Sequence, residues 1–371
     1  MPSTWIKAAY AYLKAAEQDV SLLSGVGDNP FINSMERKLE DLLGLPSHRA
    51  VAVSSATAGM VAVLRALGIG RGDEVIVPAF SWGQTLNPVL EVGATPVFVD
   101  VEVGGVNLDL SQIESAQTRH TKAILAAELF GIPLNWWQLD EIARRTGLLT
   151  IVDAAQSYGA IHSGSFPTAV VFSFGRGKLI CGGEGGAVAL HRAALYDAVL
   201  LASQHPIRVL QNLEASLSFD EVDSVAPNAR IHPFAAALVA LGIENFRKHH
   251  RQYCQLISET RKQLAEVGFP PVPVPPFAEQ SPPVIPVRTD RAEALLEFCQ
   301  TQSWNVEKCC REPLVSLPTV TKGMYLPALT RLGFPSQGIT VRHTRGEYPE
   351  ASACTKSLYL IHPVMEDVRR D

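Results

Sequence analysis

The sequence predicts an α/β protein with a mostly parallel sheet, in which a large domain is followed by a smaller one. The chain has 371 residues, which is long for a single hydrophobic core. Between residues 50 and 190, short apolar segments alternate with segments of helical length. Such near-continuous apolar strands are typical of parallel sheets that carry helices on both faces.

The individual elements follow from this alternation. Strands are predicted at residues 50–53, 74–78, 96–99, 122–127, 149–152, 169–174 and 186–190. Helices are predicted between them at residues 57–67, 81–91 and 136–146. A long helical run extends from about 233 to 266, whereas residues 269–286 are too rich in proline for a regular helix or a central strand. We place the large domain, with an N-terminal helical arm, at residues 1–245 and the smaller α/β domain at 246–371.

The composition indicates a globular protein whose main partner is neither nucleic acid nor a membrane. Hydrophobic residues make up 47% of the chain, and the net charge of -5 leaves no basic surplus to neutralise phosphates. The apolar segments are too short to span a bilayer, and the N-terminus has an amphipathic helical pattern, unlike a signal peptide. The six cysteines include no C-x-x-C pair, so we expect neither a disulfide framework nor a metal site. A reduced cytoplasmic protein fits these features.

Polar residues follow several predicted strands, at the edge where parallel sheets bind ligands. Asp153 ends a buried apolar strand, where a lone carboxylate is unfavourable unless it is paired. A protonated pyridine nitrogen would pair with it through a charge-assisted hydrogen bond, and the ring would then act as an electron sink. A metal site, a magnesium–phosphate site or a helix N-cap would also explain an aspartate at this position.

Ser173 and Lys178 flank a glycine-containing turn after another strand. A low-dielectric crevice beside a cationic ring favours the amine form of lysine, which Schiff-base chemistry requires. Ser173 could donate to a phosphate. The segment GRGK resembles the end of a nucleotide P-loop, but Phe172 stands where a first glycine is needed and Leu179 replaces Ser or Thr. A second glycine cluster fits a helix C-cap and turn better than a dinucleotide fingerprint: Gly68, Gly70 and Gly72.

Two further segments complete the candidate site. In SSATAGM, small hydroxylated residues lie between a strand and a helix start, so the amides of Ala56 and Thr57 could point at an anion. Simple capping of the helix by Ser54, Ser55 or Thr57 explains the same residues. Trp82 follows a strand, where its ring could stack on a flat cofactor and contribute about 0.5–1.5 kcal/mol. A place in the core would also suit Trp82.

The order and spacing of these segments resemble the DegT/StrS family of sugar aminotransferases. The resemblance is carried by SSATAGM, GDEVIVPAFSW, GATPVFVDV, VDAAQSYGA, FSFGRGK and GGEGG, within about residues 25 to 240, and by the later segment APNARIHPF. It implies a fold-type-I transferase that uses pyridoxal 5'-phosphate. The implied activity is the transfer of an amino group from glutamate or glutamine to a keto or aldehyde carbon, usually on a nucleotide-linked sugar.

The resemblance also implies a role for each catalytic residue. Lys178 would form the Schiff base with the cofactor and later move the proton. Asp153 would hold the pyridinium nitrogen of the ring. Gln156 would lie near the ring and its 3-hydroxyl group.

The remaining roles concern the phosphate and the ring face. Ala56, Thr57 and Ser173 would hold the phosphate, and Trp82 would stack on the ring. Asn228 would reach the phosphate of the partner subunit, which implies a homodimer with shared active sites. The alternative is that Asn228 caps a helix that starts near residue 230.

Departures from the family pattern fall where the acceptor would bind. Ala56 replaces a glycine, the segment CCREPLVSLPTV lacks the family's histidines, and the segment before Asn228 is unusual. A free sugar, a cyclitol or another biosynthetic ketone is therefore also an expected acceptor. The alternatives in activity are a dehydratase or lyase, a non-catalytic regulator that binds the cofactor, and an unrelated nucleotide enzyme. Lys178 argues against the dehydratases of the family, which carry histidine at this position.

Overall fold

The structure is a computed structural model, which describes residues 2–159, 165–213, 217–222, 227–276, 278–281, 284–309, 311–324, 328–333, 335, 337–343 and 347–363. Its strands are β1 (Ala50–Val53), β2 (Glu74–Pro78), β3 (Thr95–Val99), β4 (Thr121–Ala127), β5 (Leu149–Asp153), β6 (Ala169–Ser173), β7 (Gly186–Leu190), β8 (Ile285–Arg288), β9 (Asn305–Lys308), β10 (Arg342–His343) and β11 (Leu358–His362). Its helices are α1 (Pro2–Gln18), α2 (Pro30–Leu43), α3 (Ala56–Ala66), α4 (Gly83–Glu91), α5 (Ile113–Ala116), α6 (Trp136–Thr146), α7 (Ala193–Ser203), α8 (Pro206–Asn212), α9 (Phe219–Val222), α10 (Pro233–Glu266), α11 (Ala292–Thr301), α12 (Pro318–Thr321), α13 (Ala328–Arg331) and α14 (Pro349–Ser357). Within these ranges, no helix combines the length and the apolar character needed to cross a membrane.

The large sheet has the strand order β1-β7-β6-β5-β4-β2-β3-β10. Strand β7 is antiparallel to both β1 and β6, and the other neighbouring pairs are parallel. The carboxyl ends of β1 to β6 therefore lie at one edge of the sheet. The mostly parallel sheet predicted from the sequence is confirmed, with one antiparallel strand that the apolar pattern could not reveal.

The elements of the large sheet match the sequence prediction closely. Strands β1, β2 and β7 and helices α6 and α10 have the predicted bounds. The two faces of the sheet bury separate cores, because Val51 and Val53 pack on one side with α3 and α7 while Ala50 and Ala52 pack on the other with α2 and α10. Burial on both faces explains why these strands show continuous apolar runs in the sequence.

A smaller antiparallel sheet, in the order β8-β11-β9, lies in the C-terminal part of the chain. It packs with α11 and the end of α10 around a core that includes Ile257, Ile285 and Leu295. Strand β10 leaves this part and pairs in parallel with β3 of the large sheet. The division predicted at residues 245 and 246 falls inside α10, which runs through both parts, and it stays a prediction.

The edge strand β1 is closed by two carboxylates of α2. Glu40 Oε1 accepts hydrogen bonds from the backbone N–H groups of Arg49 at 2.7 Å and Ala50 at 2.9 Å. One turn earlier, Glu36 Oε1 accepts from the N–H of Ala52 at 2.7 Å and from the guanidinium of Arg208 at 2.5 Å. Both Glu36 and Arg208 are buried. These bonds satisfy an open strand edge and fix the strand that leads into the first candidate loop.

We expect Glu36→Ala to lower the free energy of unfolding by about 3–5 kcal/mol, because it leaves the buried guanidinium of Arg208 without its anion. Urea unfolding of the purified protein measures this loss. The control is Glu141→Ala, which removes an exposed partner of Arg145 and should change stability by less than about 1 kcal/mol. Equal losses in the two variants would contradict the importance of the buried pair.

Candidate active site

Asp153 is the last residue of β5 and is buried at the carboxyl edge of the large sheet. Its Oδ2 accepts a hydrogen bond from Thr85 Oγ1 at 2.9 Å, and its Oδ1 accepts from the backbone N–H of Ala155 at 3.2 Å. Burial raises the pKa of Asp153, whereas these two bonds and the charge of Lys178 act in the opposite direction. The site therefore holds a desolvated carboxylate that a cationic ligand would stabilise.

Thr85 was not predicted from the sequence. It lies in the first turn of α4, and its hydroxyl is also 2.9 Å from Ser81 Oγ. Because 68 residues separate Thr85 from Asp153, no local spacing links them. The link arises from the sheet order, which places β2, the strand before α4, beside β4 and so one strand away from β5.

Lys178 lies in the turn that follows β6. Its backbone N–H donates to the carbonyl of Gly175 at 3.2 Å, and Gly177 before it has a φ of 83°, a conformation that favours glycine. Burial lowers the pKa of the Lys178 ammonium, as does the positive charge of Arg311, while Asp153 opposes both. The neutral amine is thus more accessible than in an exposed lysine, which is the state that a nucleophilic amine needs.

Gln156 is held by the backbone near the carboxyl end of β4. Its Oε1 accepts a hydrogen bond from the N–H of Phe130 at 2.7 Å. Since a backbone N–H can only donate, the amide oxygen must face Phe130, and the remaining Nε2 group is the donor available to a ligand. A donor of this kind suits the oxygen of a phenolic ring substituent.

The loop between β1 and α3 has the geometry expected of an anion cradle. Ser55 caps α3 by accepting from the N–H of Ala58 at 3.1 Å, which leaves the first-turn amides of Ala56 and Thr57 without a helical acceptor. A Cβ atom on Gly186 of β7 would lie 2.6 Å from the nitrogen of Ala56, so only glycine permits this close approach. Ser173 pairs with Gly186 in the sheet and thereby lies beside the same loop.

A cavity of about 1170 Å³ separates the carboxyl edge of the large sheet from the smaller sheet. Trp82, Gln156 and Lys178 line one wall, and Asp153 is buried behind them. The opposite wall is formed by the C-terminal part of the chain, with Val306, Glu307, Lys308, Cys309, Arg311, Glu312 and Leu314. Ala56, Thr57 and Ser173 do not line this cavity. The fold thus brings the predicted ring-binding residues together and keeps the phosphate candidates in the neighbouring cradle.

Trp82 and Arg311 meet in this cavity. The guanidinium of Arg311 lies over the face of the Trp82 ring, which is partly exposed. This contact covers one face of the indole, so a cofactor ring could stack only on the other face unless Arg311 moved. The stacking role of Trp82 stays a prediction, and Arg311 is a cavity residue that the sequence reasoning did not single out.

Asn228 is exposed in the segment 227–230, which has no regular secondary structure. The next residue, Ala229, accepts a hydrogen bond at 2.8 Å from the N–H of Ser54, which lies at the end of β1. Helix α10 begins at Pro233 and is capped by His232, whose Nδ1 accepts from the N–H of Phe234. The alternative that Asn228 caps this helix is therefore wrong, and its side chain is available to a ligand or to another subunit.

A comparison with known proteins agrees with this geometry. A protein-family model described as the DegT/DnrJ/EryC1/StrS aminotransferase family matches residues 11–328. GDP-perosamine synthase of Caulobacter vibrioides is 39% identical over 174 residues, a segment that makes up 46% of this chain and 46% of that protein. The matched segment therefore spans less than half of that relative.

Solved structures are similar over nearly the whole chain. DesV of S. venezuelae has a TM-score of 0.73 and 26% identity, over 98% of this chain and 93% of that one. A DegT/DnrJ/EryC1/StrS aminotransferase from Brucella abortus has a TM-score of 0.76 and 23% identity, over 97% of this chain and 93% of that one. At the latter identity the likeness shows the fold alone. Together these structures confirm the predicted fold.

We expect Asp153→Asn to raise the thermal unfolding midpoint of the cofactor-free protein by a few degrees at pH 8. The pKa of Asp153 is raised in the folded state, so the ionised carboxylate costs stability above that pKa. The difference between the variant and the wild type should shrink as the pH falls and vanish near the ordinary aspartate pKa of about 3.9.

Scanning calorimetry between pH 4 and pH 8 measures this difference. The matched control is Asp41→Asn on the exposed side of α2, whose effect should not depend on pH in this way. A destabilised Asp153→Asn protein at pH 8 would show that the carboxylate stabilises the empty fold.

Proposed function

Because the chain belongs to the DegT/DnrJ/EryC1/StrS aminotransferase family, we propose that it is a pyridoxal-phosphate-dependent aminotransferase. Its reaction moves an amino group from glutamate or glutamine to a keto or aldehyde carbon of a sugar, a cyclitol or a related biosynthetic intermediate. The observation that carries the proposal is the buried Asp153 beside the half-buried Lys178, which faces a cavity closed by the smaller sheet.

The residues present fit pyridoxal phosphate. The carboxylate of Asp153 would hold the protonated ring nitrogen, and the Nε2 group of Gln156 would donate to the ring oxygen. The cradle of Ala56 and Thr57 has backbone N–H donors for the phosphate. A Cβ atom on Gly186 would collide with the backbone of this cradle. When bound, the cofactor supplies an electron sink for the carbon that carries the amino nitrogen.

The chain's own groups divide the work of the reaction. Asp153 would favour the protonated form of the ring nitrogen, because its carboxylate is desolvated and gains most from a cationic partner. Lys178 would hold the cofactor through its neutral amine, and the same amine would serve to move a proton within the cavity. Thr85 fixes the carboxylate through its hydroxyl, so the ring nitrogen meets an oriented acceptor.

Lys178 favours amino transfer over dehydration, since the dehydratases of the family carry histidine at this position. A non-catalytic binding protein would not need both groups, Asp153 and Lys178, at the same wall of the cavity. The similarity to GDP-perosamine synthase supports a sugar acceptor, although it covers 46% of the chain. The segment 309–320, in which the chain departs from the family pattern, forms part of the opposite wall of the cavity, where the acceptor would lie.

The homodimer is the second part of the proposal. Ile6, Tyr10 and Leu13 recur at helical spacing on α1 and are largely exposed, whereas Tyr12 on the other side of this helix is buried against Phe234. A contiguous exposed apolar face of this kind marks a protein interface. The exposed Asn228 would then donate to the phosphate in the partner's site, as the family resemblance implies.

The cytoplasmic location is a further proposal. The cysteines that the structure describes are all free thiols, and Cys299, Cys309 and Cys354 are buried. Free buried thiols suit a reducing compartment.

Borohydride reduction of the cofactor-loaded protein should attach the pyridoxyl group to Lys178, which peptide mapping identifies. Lys308 lines the same cavity and serves as the internal control. Lys178→Ala should abolish turnover, because both the nucleophile and the proton carrier are lost. A pyridoxyl group on Lys308, or turnover by Lys178→Ala, would overturn the assignment.

Shared active sites predict that two inactive variants complement each other. When Lys178→Ala and Asn228→Asp subunits are exchanged, one site of each mixed dimer keeps both native residues. Up to about a quarter of the wild-type activity should return, given random pairing into two-fold dimers. If Asn228 acts on the phosphate of its own chain, every site keeps one defect and no activity returns.

The matched control is the exchange of Lys178→Ala with Asp153→Asn. Both residues lie at one site of one chain, so no mixed dimer can contain an intact pair. Activity in this control would show that the assay detects wild-type contamination rather than complementation. A fully active monomer in sedimentation at micromolar concentration would exclude the shared site.

A further inference from the structure

Arg311 reaches the cavity from a segment that is fixed on both sides. Before it, the N–H of Cys309 donates to the carbonyl of Leu358 in β11 at 2.9 Å. The carbonyl of Arg311 itself accepts from Thr355 Oγ1 at 2.8 Å, and after it the N–H of Leu314 donates to the carbonyl of Ala79 at 2.7 Å. These bonds tie the segment to the smaller sheet and to the carboxyl end of β2. The backbone position of Arg311 is therefore fixed.

The guanidinium of Arg311 lies over the ring of Trp82, and its charge acts on Lys178. A cation–π contact of this kind leaves the N–H donors of a guanidinium unused. The charge of Arg311 lowers the pKa of Lys178, in addition to the larger effect of burial. Arg311 thus lines the same cavity as Lys178.

Its hydrogen-bonding capacity is unused. Within the part of the chain that the structure describes, the guanidinium of Arg311 forms no hydrogen bond and no ion pair. Glu307 and Glu312 line the same cavity, and the charge of Glu307 acts on Arg311 without forming a hydrogen bond or an ion pair with it. A guanidinium has five N–H donors in a fork that matches the two oxygens of a carboxylate or a phosphate. The cavity therefore presents a fixed, half-buried cation with free donors.

We propose that Arg311 determines substrate specificity by binding an anionic group, a carboxylate or a phosphate, of the molecule that occupies this cavity. The inference rests on the proposed aminotransferase function, because that function places a substrate above Lys178. The anion has two possible sources, the carboxylate of the amino donor and the phosphate of a nucleotide-linked acceptor. Arg311 lies in the segment CCREPLVSLPTV, where this chain departs from the family it resembles.

Calorimetric titration of the cofactor-loaded enzyme tests the proposal with two probes, glutarate and inorganic pyrophosphate. Arg311→Gln should weaken the binding of one probe by about 10- to 100-fold, the usual effect of losing a charge-assisted pair. Arg311→Lys should lie between, because it keeps the charge and loses the fork. Lys308→Gln, which removes an exposed cation of the same cavity, should weaken both probes by less than about threefold.

The two probes distinguish the sources of the anion. A selective loss of glutarate binding assigns Arg311 to the amino donor, and a selective loss of pyrophosphate binding assigns it to the acceptor. A wild-type enzyme that binds neither probe, or an Arg311→Gln enzyme that binds both as tightly as the wild type, overturns the proposal.

The wild-type protein provides a readout that does not depend on a variant. Phenylglyoxal should modify Arg311, and whichever probe binds there should protect it, as peptide mapping would show. If neither probe protects Arg311, the proposal is wrong even if Arg311→Gln does not fold. The borohydride experiment on Lys178 tests the proposed function separately, so a failure of Arg311 to bind an anion leaves that function standing.

Discussion

The desolvated carboxylate of Asp153 is the constraint around which the site is arranged. A buried carboxylate is unfavourable unless hydrogen bonds and an opposite charge compensate it. Thr85 and the N–H of Ala155 provide the bonds, and Lys178 provides part of the charge. This compensation is incomplete, since burial still raises the pKa of Asp153 and lowers the pKa of Lys178. A cationic ring nitrogen would complete it, so the binding of the cofactor and the energetics of the empty fold are coupled.

The sheet provides these partners from distant parts of the chain. Parallel strands deliver Asp153, Ser173 and the loop after β1 to one edge, because their carboxyl ends point the same way. The antiparallel β7 contributes differently, since Gly186 lets it approach the backbone of Ala56 more closely than any residue with a Cβ atom could. The cradle for an anion therefore depends on sheet packing as much as on the loop that forms it.

The sequence predicts the large sheet well and the contacts between elements poorly. Strands such as β1 and β5 are buried on both faces, and their apolar runs and following polar residues are visible without a structure. Asp153, Gln156 and Lys178 could be predicted as site candidates because each ends or follows a recognisable strand. Thr85 could not, because its partner is fixed by the strand order and not by spacing. The same holds for the pairing of β10 with β3, whose two residues carry no apolar pattern.

The two walls of the cavity differ in what constrains them. The wall formed by the large sheet must hold the amine of Lys178 in fixed relation to the desolvated carboxylate of Asp153, and a change in either group alters the charge balance of the other. The opposite wall, which includes Arg311, is attached through backbone hydrogen bonds to Leu358 and Ala79 that do not depend on side-chain identity. Side chains on that wall can therefore change without altering the backbone that carries them, whereas the charge of Arg311 still acts on Lys178. A departure from the family pattern in the segment around Arg311 would alter the choice of substrate and, through the pKa of Lys178, the state of the reacting amine.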